Sequence, residues 1–143
     1  MYTLPELPYE FNALEPYIDE QTMHIHHDKH HAAYVEKANA ILEKYPAFAD
    51  KTLEELLKNL NTLEMDEADK KGLRNNGGGA WNHAFFWNIM GPEKQVNETL
   101  VKDIEVAFLS LGAFKEQFSN PAKAQFGSGW AWLTVKGGQL TLE

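Results

Sequence analysis

The sequence predicts an α+β fold, with helices filling the chain to about Phe118 and a β-hairpin at its end. Two patterns carry this reading. From Gln21 to Tyr45 there is no glycine or proline, and Met23, Tyr34, Ala38, Ile41 and Tyr45 return to one face at about 100° per residue. From Gly129 the period drops to two: Trp130 and Trp132 point one way and Ala131, Leu133 and Val135 the other. Lys136-Gly137-Gly138 then turns the chain into Gln139–Glu143.

The elements follow in order. Residues 1–18 hold Pro5, Pro8 and Pro16 and read as an extended arm leading to Asp19, a helix N-cap. The long helix runs from there to the stop at Pro46. Thr52-Leu53-Glu54-Glu55 has capping-box spacing and opens a shorter amphipathic helix through Leu56, Leu57 and Leu60. A third helix begins near Asp66, meets Gly77-Gly78-Gly79 and continues from Ala80 to Met90, where apolar residues go all the way round and predict burial on every side. Gly91-Pro92 ends it and residues 92–97 form a polar connector. Thr99–Phe118 supplies one or two more helices, broken near Gly112. Both faces of the terminal hairpin want covering, yet only one partner strand follows, so the sheet reads as unfinished at Glu143.

Composition narrows the chemistry. A length of 143 residues suits one domain, or two small layers sharing a core. Thirteen basic against 21 acidic residues leave a net charge of −8, which argues against nucleic acid and anionic membranes as partners. No apolar run approaches the roughly 18 residues a membrane span needs, and the first residues lack the pattern of a secretory signal. The chain is expected to be soluble and cytoplasmic. With no cysteine, thiolate nucleophiles, disulfides and iron–sulfur clusters are excluded, and a metal would have only nitrogen and oxygen ligands.

The histidines point to such a metal. Five of the six lie in His24-Ile25-His26-His27-Asp28-Lys29-His30-His31, and the sixth, His83, sits in Trp81-Asn82-His83-Ala84-Phe85-Phe86-Trp87. Imidazole is the commonest ligand of catalytic transition metals, and ligands drawn from two distant helices are how a helical scaffold builds an ion site. His26 and His30 are one turn apart, with Tyr34 a further turn along. His27 and His31 share that spacing, and periodicity does not choose between the pairs. A histidine-rich solvated surface is the bland alternative. His83 weighs against it, because an imidazole buried without a partner costs on the order of 1–3 kcal/mol. Two imidazoles are still too few: redox iron and manganese sites add a carboxylate, and Asp28 is directed away from His26.

These residues resemble the iron and manganese superoxide dismutases. The resemblance runs through Leu4-Pro-Glu-Leu-Pro-Tyr9, Leu14-Glu-Pro16, Thr22-Met-His-Ile-His-His27, Lys29-His-His-Ala-Ala-Tyr34, Asn75-Asn-Gly-Gly-Gly79, Asn82-His83, Phe86-Trp87 and Phe126-Gly-Ser-Gly-Trp-Ala-Trp132. It implies a long antiparallel helical hairpin over 1–91, then a C-terminal domain over 92–143. In that domain a helix packs with an antiparallel three-stranded sheet, of which two strands are present. It implies that His26 and His83 are metal ligands, that His30 and Tyr34 gate the substrate funnel, and that Trp130 forms an aromatic wall. It also implies a homo-oligomer that disproportionates superoxide to dioxygen and hydrogen peroxide. Gly79 stands where iron-type members carry a glutamine, which favours manganese, whereas Trp81 is more like the iron type. Lys29 and Arg74 are candidates for attracting the anionic substrate. The family's remaining aspartate and histidine ligands, in an Asp-x-Trp-Glu-His pattern, do not occur in this sequence. The expectation is a truncated enzyme completed by a complementary C-terminal segment. The alternatives are an inactive metal-binding fragment, or a structural helical protein whose histidines are incidental.

Overall fold

Asp19 closes the proline-bearing arm by accepting the Thr22 N–H at 2.8 Å, and helix starts at the next residue. Helical backbone then continues without a break through α1 (Glu20–His24), a π-helical stretch (Ile25–His31) and α2 (Ala32–Leu42). The computed structural model describes all residues, Met1–Glu143, in two compact units, Met1–Glu93 and Lys94–Glu143. The π-helical stretch is a finding that the regular 3.6-residue pattern did not predict. Its wider turn is visible where the Ala32 N–H reaches back five residues to the His27 carbonyl.

The first unit is a helical hairpin. After α2 the chain turns through Pro46–Phe48, and Thr52 opens α3 (Leu53–Lys58) with a complete capping box. The long α4 (Glu67–Ile89) then returns along α2. The two arms are antiparallel: His26 meets His83, His31 meets Ala80, Ile41 meets Gly72 and Tyr45 meets Asp69. At the turn end, the Tyr45 hydroxyl donates to Asp69 at 2.7 Å and accepts the Asp66 N–H at 3.1 Å. Ala38, Leu56, Leu63 and Leu73 form one core cluster, and Leu14, Met23 and Trp87 form another beneath the arm. Each fully buried leucine contributes about 1.5–3 kcal/mol relative to exposure. The arm itself is tied down at Tyr2, whose N–H and C=O bond the Asn39 side chain at 2.9 and 2.8 Å.

One expectation for α4 needs correcting. Its last turns are not buried on every side, since Phe85 is 42% and Ile89 62% exposed. Within this unit α4 packs on α2, α3 and the arm, so one stripe carries the core while Phe85 and Ile89 stand on the other side. No helix is long and apolar enough to cross a membrane.

The second unit comprises α5 (Glu98–Phe108), α6 (Leu111–Ala124), β1 (Leu133–Lys136) and β2 (Gln139–Leu142). The helix break falls at Leu109-Ser110, near Gly112 as expected. Leu109 takes a φ of 72°, and the Ser110 hydroxyl accepts the Ala113 N–H at 3.0 Å, so capping starts α6 and leaves Gly112 inside its first turn. The strands pair antiparallel across the two-residue turn Gly137-Gly138, whose φ angles of 56° and 81° are those of a tight hairpin turn. The pairing extends one residue beyond β1 and β2, where Trp132 exchanges both backbone hydrogen bonds with Glu143. The fold is therefore α+β, with a two-stranded antiparallel sheet.

Candidate metal centre

Imidazoles from both arms of the hairpin converge. His26, on the π-helical stretch, and His83, on α4, bring their Nε2 atoms to 3.1 Å. His30 adds a third nitrogen, and all three lie within 4.8 Å of one another. His83 is buried, His26 half-buried and His30 exposed, so the cluster grades from core to surface. The Tyr34 ring stands beside it, 5.0 Å from His30 and 5.3 Å from His83.

Orientation of the buried ring comes from its own helix. His83 Nδ1–H donates to the Gly79 carbonyl at 2.7 Å, one turn earlier; a carbonyl only accepts, so in the neutral ring Nε2 carries the lone pair. Burial lowers the His83 pKa, with His30 adding to the effect and the Gly79 bond opposing it. Burial also pushes His26 down to about 4, helped by the charges that His83, His30 and His27 would carry. His26 and His83 are thus neutral at pH 7, and neutral imidazole is the ligating form. Trp87, whose ring lies 4.9 Å from His26, shields the inner side from water.

The structure separates the two histidine pairs that spacing left equal. His31 is fully buried, but its Nε2–H donates to the Ala80 carbonyl at 2.9 Å and its Nδ1 accepts from Trp87 Nε1–H at 3.0 Å. Both nitrogens are used in holding the arms together. His27 is likewise engaged, with Nε2 on the Pro5 carbonyl at 2.8 Å and Nδ1 on Asp28 at 2.7 Å. Asp28 bonds His24 through its other oxygen at 2.8 Å, and these two hydrogen bonds hold its carboxyl below the usual range. His24 stacks on Phe11 at 3.7 Å. Accordingly no carboxylate joins the His26, His30 and His83 group. Trp130 belongs to the Lys94–Glu143 unit, where its ring lies 5.8 Å from that of Trp132.

Sequence reasoning missed three contributors. The bracing role of His31 and Trp87 depends on a contact between residues 56 apart, which periodicity cannot report. The Gly79 carbonyl is backbone and has no side-chain signal at all. The π-helical stretch leaves only an indirect trace, a dense run of histidines that a regular wheel spreads over too many faces.

Three imidazole nitrogens, two of them neutral and of these one buried and one half-buried, fit a first-row transition cation. A hairpin that gathers such donors from facing helices has the construction of helical metal-site proteins. Comparison with protein families agrees: the iron/manganese superoxide dismutase alpha-hairpin domain matches residues 1–91, and the iron/manganese superoxide dismutase C-terminal domain matches residues 96–143. The chain belongs to the iron/manganese superoxide dismutases. These domains indicate superoxide dismutase-type function, with manganese or iron as the family's metal.

Proposed function

We propose that this chain supplies the hairpin half of a superoxide dismutase centre, with His26 and His83 as ligands and His30 and Tyr34 lining the approach. The observation that carries the reading is the 3.1 Å separation of two neutral, inward Nε2 atoms from opposite arms. When bound, manganese or iron supplies the one-electron chemistry by which superoxide becomes dioxygen and hydrogen peroxide. The protein's own part is position and protons. Gly79 fixes the tautomer of His83, and the His31–Trp87 bond sets the spacing of the arms near that ring. The phenol of Tyr34, beside His30 and His83, is suited to donate a hydrogen bond to the incoming anion and to relay protons. Trp130 is proposed as an aromatic wall by family likeness alone.

Gly79 favours manganese as the working metal, with iron or either metal as the alternative. The reading extends to a homo-oligomer acting in the cytoplasm. Because the group contains no carboxylate and Asp28 is engaged by two histidines, the remaining aspartate and histidine ligands are proposed to come from a segment outside residues 1–143. The same observation favours a second reading, in which residues 1–143 bind metal weakly and turn nothing over.

Metal analysis with a superoxide-decay assay separates the two. Residues 1–143 alone are expected to show little dismutase activity, and addition of a segment bearing the Asp-x-Trp-Glu-His pattern is expected to restore it. Full turnover by a homogeneous preparation of residues 1–143 would overturn the need for outside ligands. Failure of a folded, metal-loaded complex to turn over would leave the second reading.

A further inference from the structure

The start of the chain is fastened, although termini are where backbone usually frays. The Asn39 side chain on α2 accepts the Tyr2 N–H at 2.9 Å and donates to the Tyr2 carbonyl at 2.8 Å. One amide thus holds both backbone groups of one residue, a contact that reads main chain and not side chain. The Tyr2 ring packs on the Ala38, Leu56, Leu63 and Leu73 cluster, and its hydroxyl donates to the Lys51 carbonyl at 2.6 Å. Three residues further on, the Pro5 carbonyl accepts the His27 Nε2–H at 2.8 Å. The link between these two points is short and stiff. Pro5 fixes its own φ, Leu4 before it is confined to extended backbone, and three residues span at most about 10 Å.

We propose that Asn39 is a positioning residue for the metal centre, acting through the arm. By fixing Tyr2 it sets where Pro5 can place its carbonyl, and that carbonyl is the partner of Nε2 on His27. His27 is buried and adjoins His26, the half-buried member of the converging group, on the same π-helical stretch. The arm therefore braces that stretch at His27, as α4 braces it at His31. The functional weight of this rests on the reading of His26 as a ligand given above.

The test follows the metal-free 143-residue chain with its histidine rings isotopically labelled. Asn39→Leu, of similar size but unable to hydrogen-bond, is expected to lower the thermal midpoint by about 5 °C and to shift the ring resonances of His27 and His26. A chain starting at Leu4 is expected to show the same ring shifts. Asn39→Leu within that shortened chain should add none, because the amide then has nothing to hold. Tyr45→Phe is the control: it removes bonds to Asp69 and Asp66 at the turn end of the hairpin, so it should lower the midpoint and leave both rings unmoved. Asn39→Leu with unmoved His27 and His26 resonances overturns the proposal. So does a further shift on adding Asn39→Leu to the shortened chain, or an equal ring shift from Tyr45→Phe. The shortened chain keeps the test decisive even if Asn39→Leu does not fold, since unmoved rings there overturn the proposal too. No readout involves metal or turnover, so the outcome is separate from whether His26 binds an ion.

Discussion

Trp87 donates its indole N–H to Nδ1 of His31 at 3.0 Å, and the opposite nitrogen of the same ring donates to the Ala80 carbonyl at 2.9 Å. Both side chains are fully buried, so His31 spans from α4 back to α4 while anchored at the end of the π-helical stretch. Trp87→Phe removes one donor, leaves a buried acceptor unsatisfied and opens volume in the core. The expected loss is about 2–3 kcal/mol of unfolding free energy, measured by urea denaturation of the metal-free chain. A change below about 0.5 kcal/mol, the ordinary range for surface substitutions, would mean the bond is not bracing the hairpin.

Protonation should weaken the same region. Burial pushes His31 down to about 4, and His26 likewise to about 4, whereas both rise to the ordinary histidine value of about 6.5 when the chain unfolds. Between those values the unfolded chain binds more protons than the folded one, so stability rises with pH. The metal-free chain should therefore have its full histidine contribution above about pH 6.5 and lose it progressively toward pH 4. Below that range Asp19, Asp28 and Asp69, whose carboxyls are lowered by hydrogen bonds to Thr22, to His24 and His27, and to Lys44 and Tyr45, add loss of the same sign. Denaturation midpoints across pH 4–8 check this, and a flat profile between pH 6.5 and 4.5 would contradict the buried-neutral assignment.

Tyr34→Phe removes one hydroxyl from a ring that lies beside, but not among, the converging imidazole nitrogens. In the completed enzyme it should preserve fold and metal content. The half of the reaction that forms and releases peroxide should slow more than the half that releases dioxygen, because only the former consumes protons. Pulse radiolysis at high and low superoxide dose distinguishes the halves. Equal slowing of both, or loss of metal, would make Tyr34 a structural residue.

Much of the scaffold was legible because it is encoded locally. Asp19, the Thr52–Glu55 box and the Gly137-Gly138 turn act within a few residues of themselves, and each side chain or positive φ does what its residue type favours. The helix break near Gly112 was legible too, although the residue that caps the next helix is Ser110. The metal cluster was half legible. Composition singled out the histidines, but a wheel drawn at 100° per residue does not hold through a π-helical turn, and the partners of His27 and His31 lie 22 and 49 residues away. Family likeness selected His26 over His27 where periodicity did not.

The centre itself is tested most directly by metal content after two substitutions in the completed protein. His83 is buried, its Nε2 directed at that of His26, whereas His24 lies half-exposed, stacked on Phe11 and bonded to Asp28. His83→Ala should abolish stoichiometric manganese or iron, read by elemental analysis after exhaustive dialysis, while His24→Ala should leave it nearly unchanged. Equal losses from the two would contradict the account and identify the histidines as a loose surface cluster.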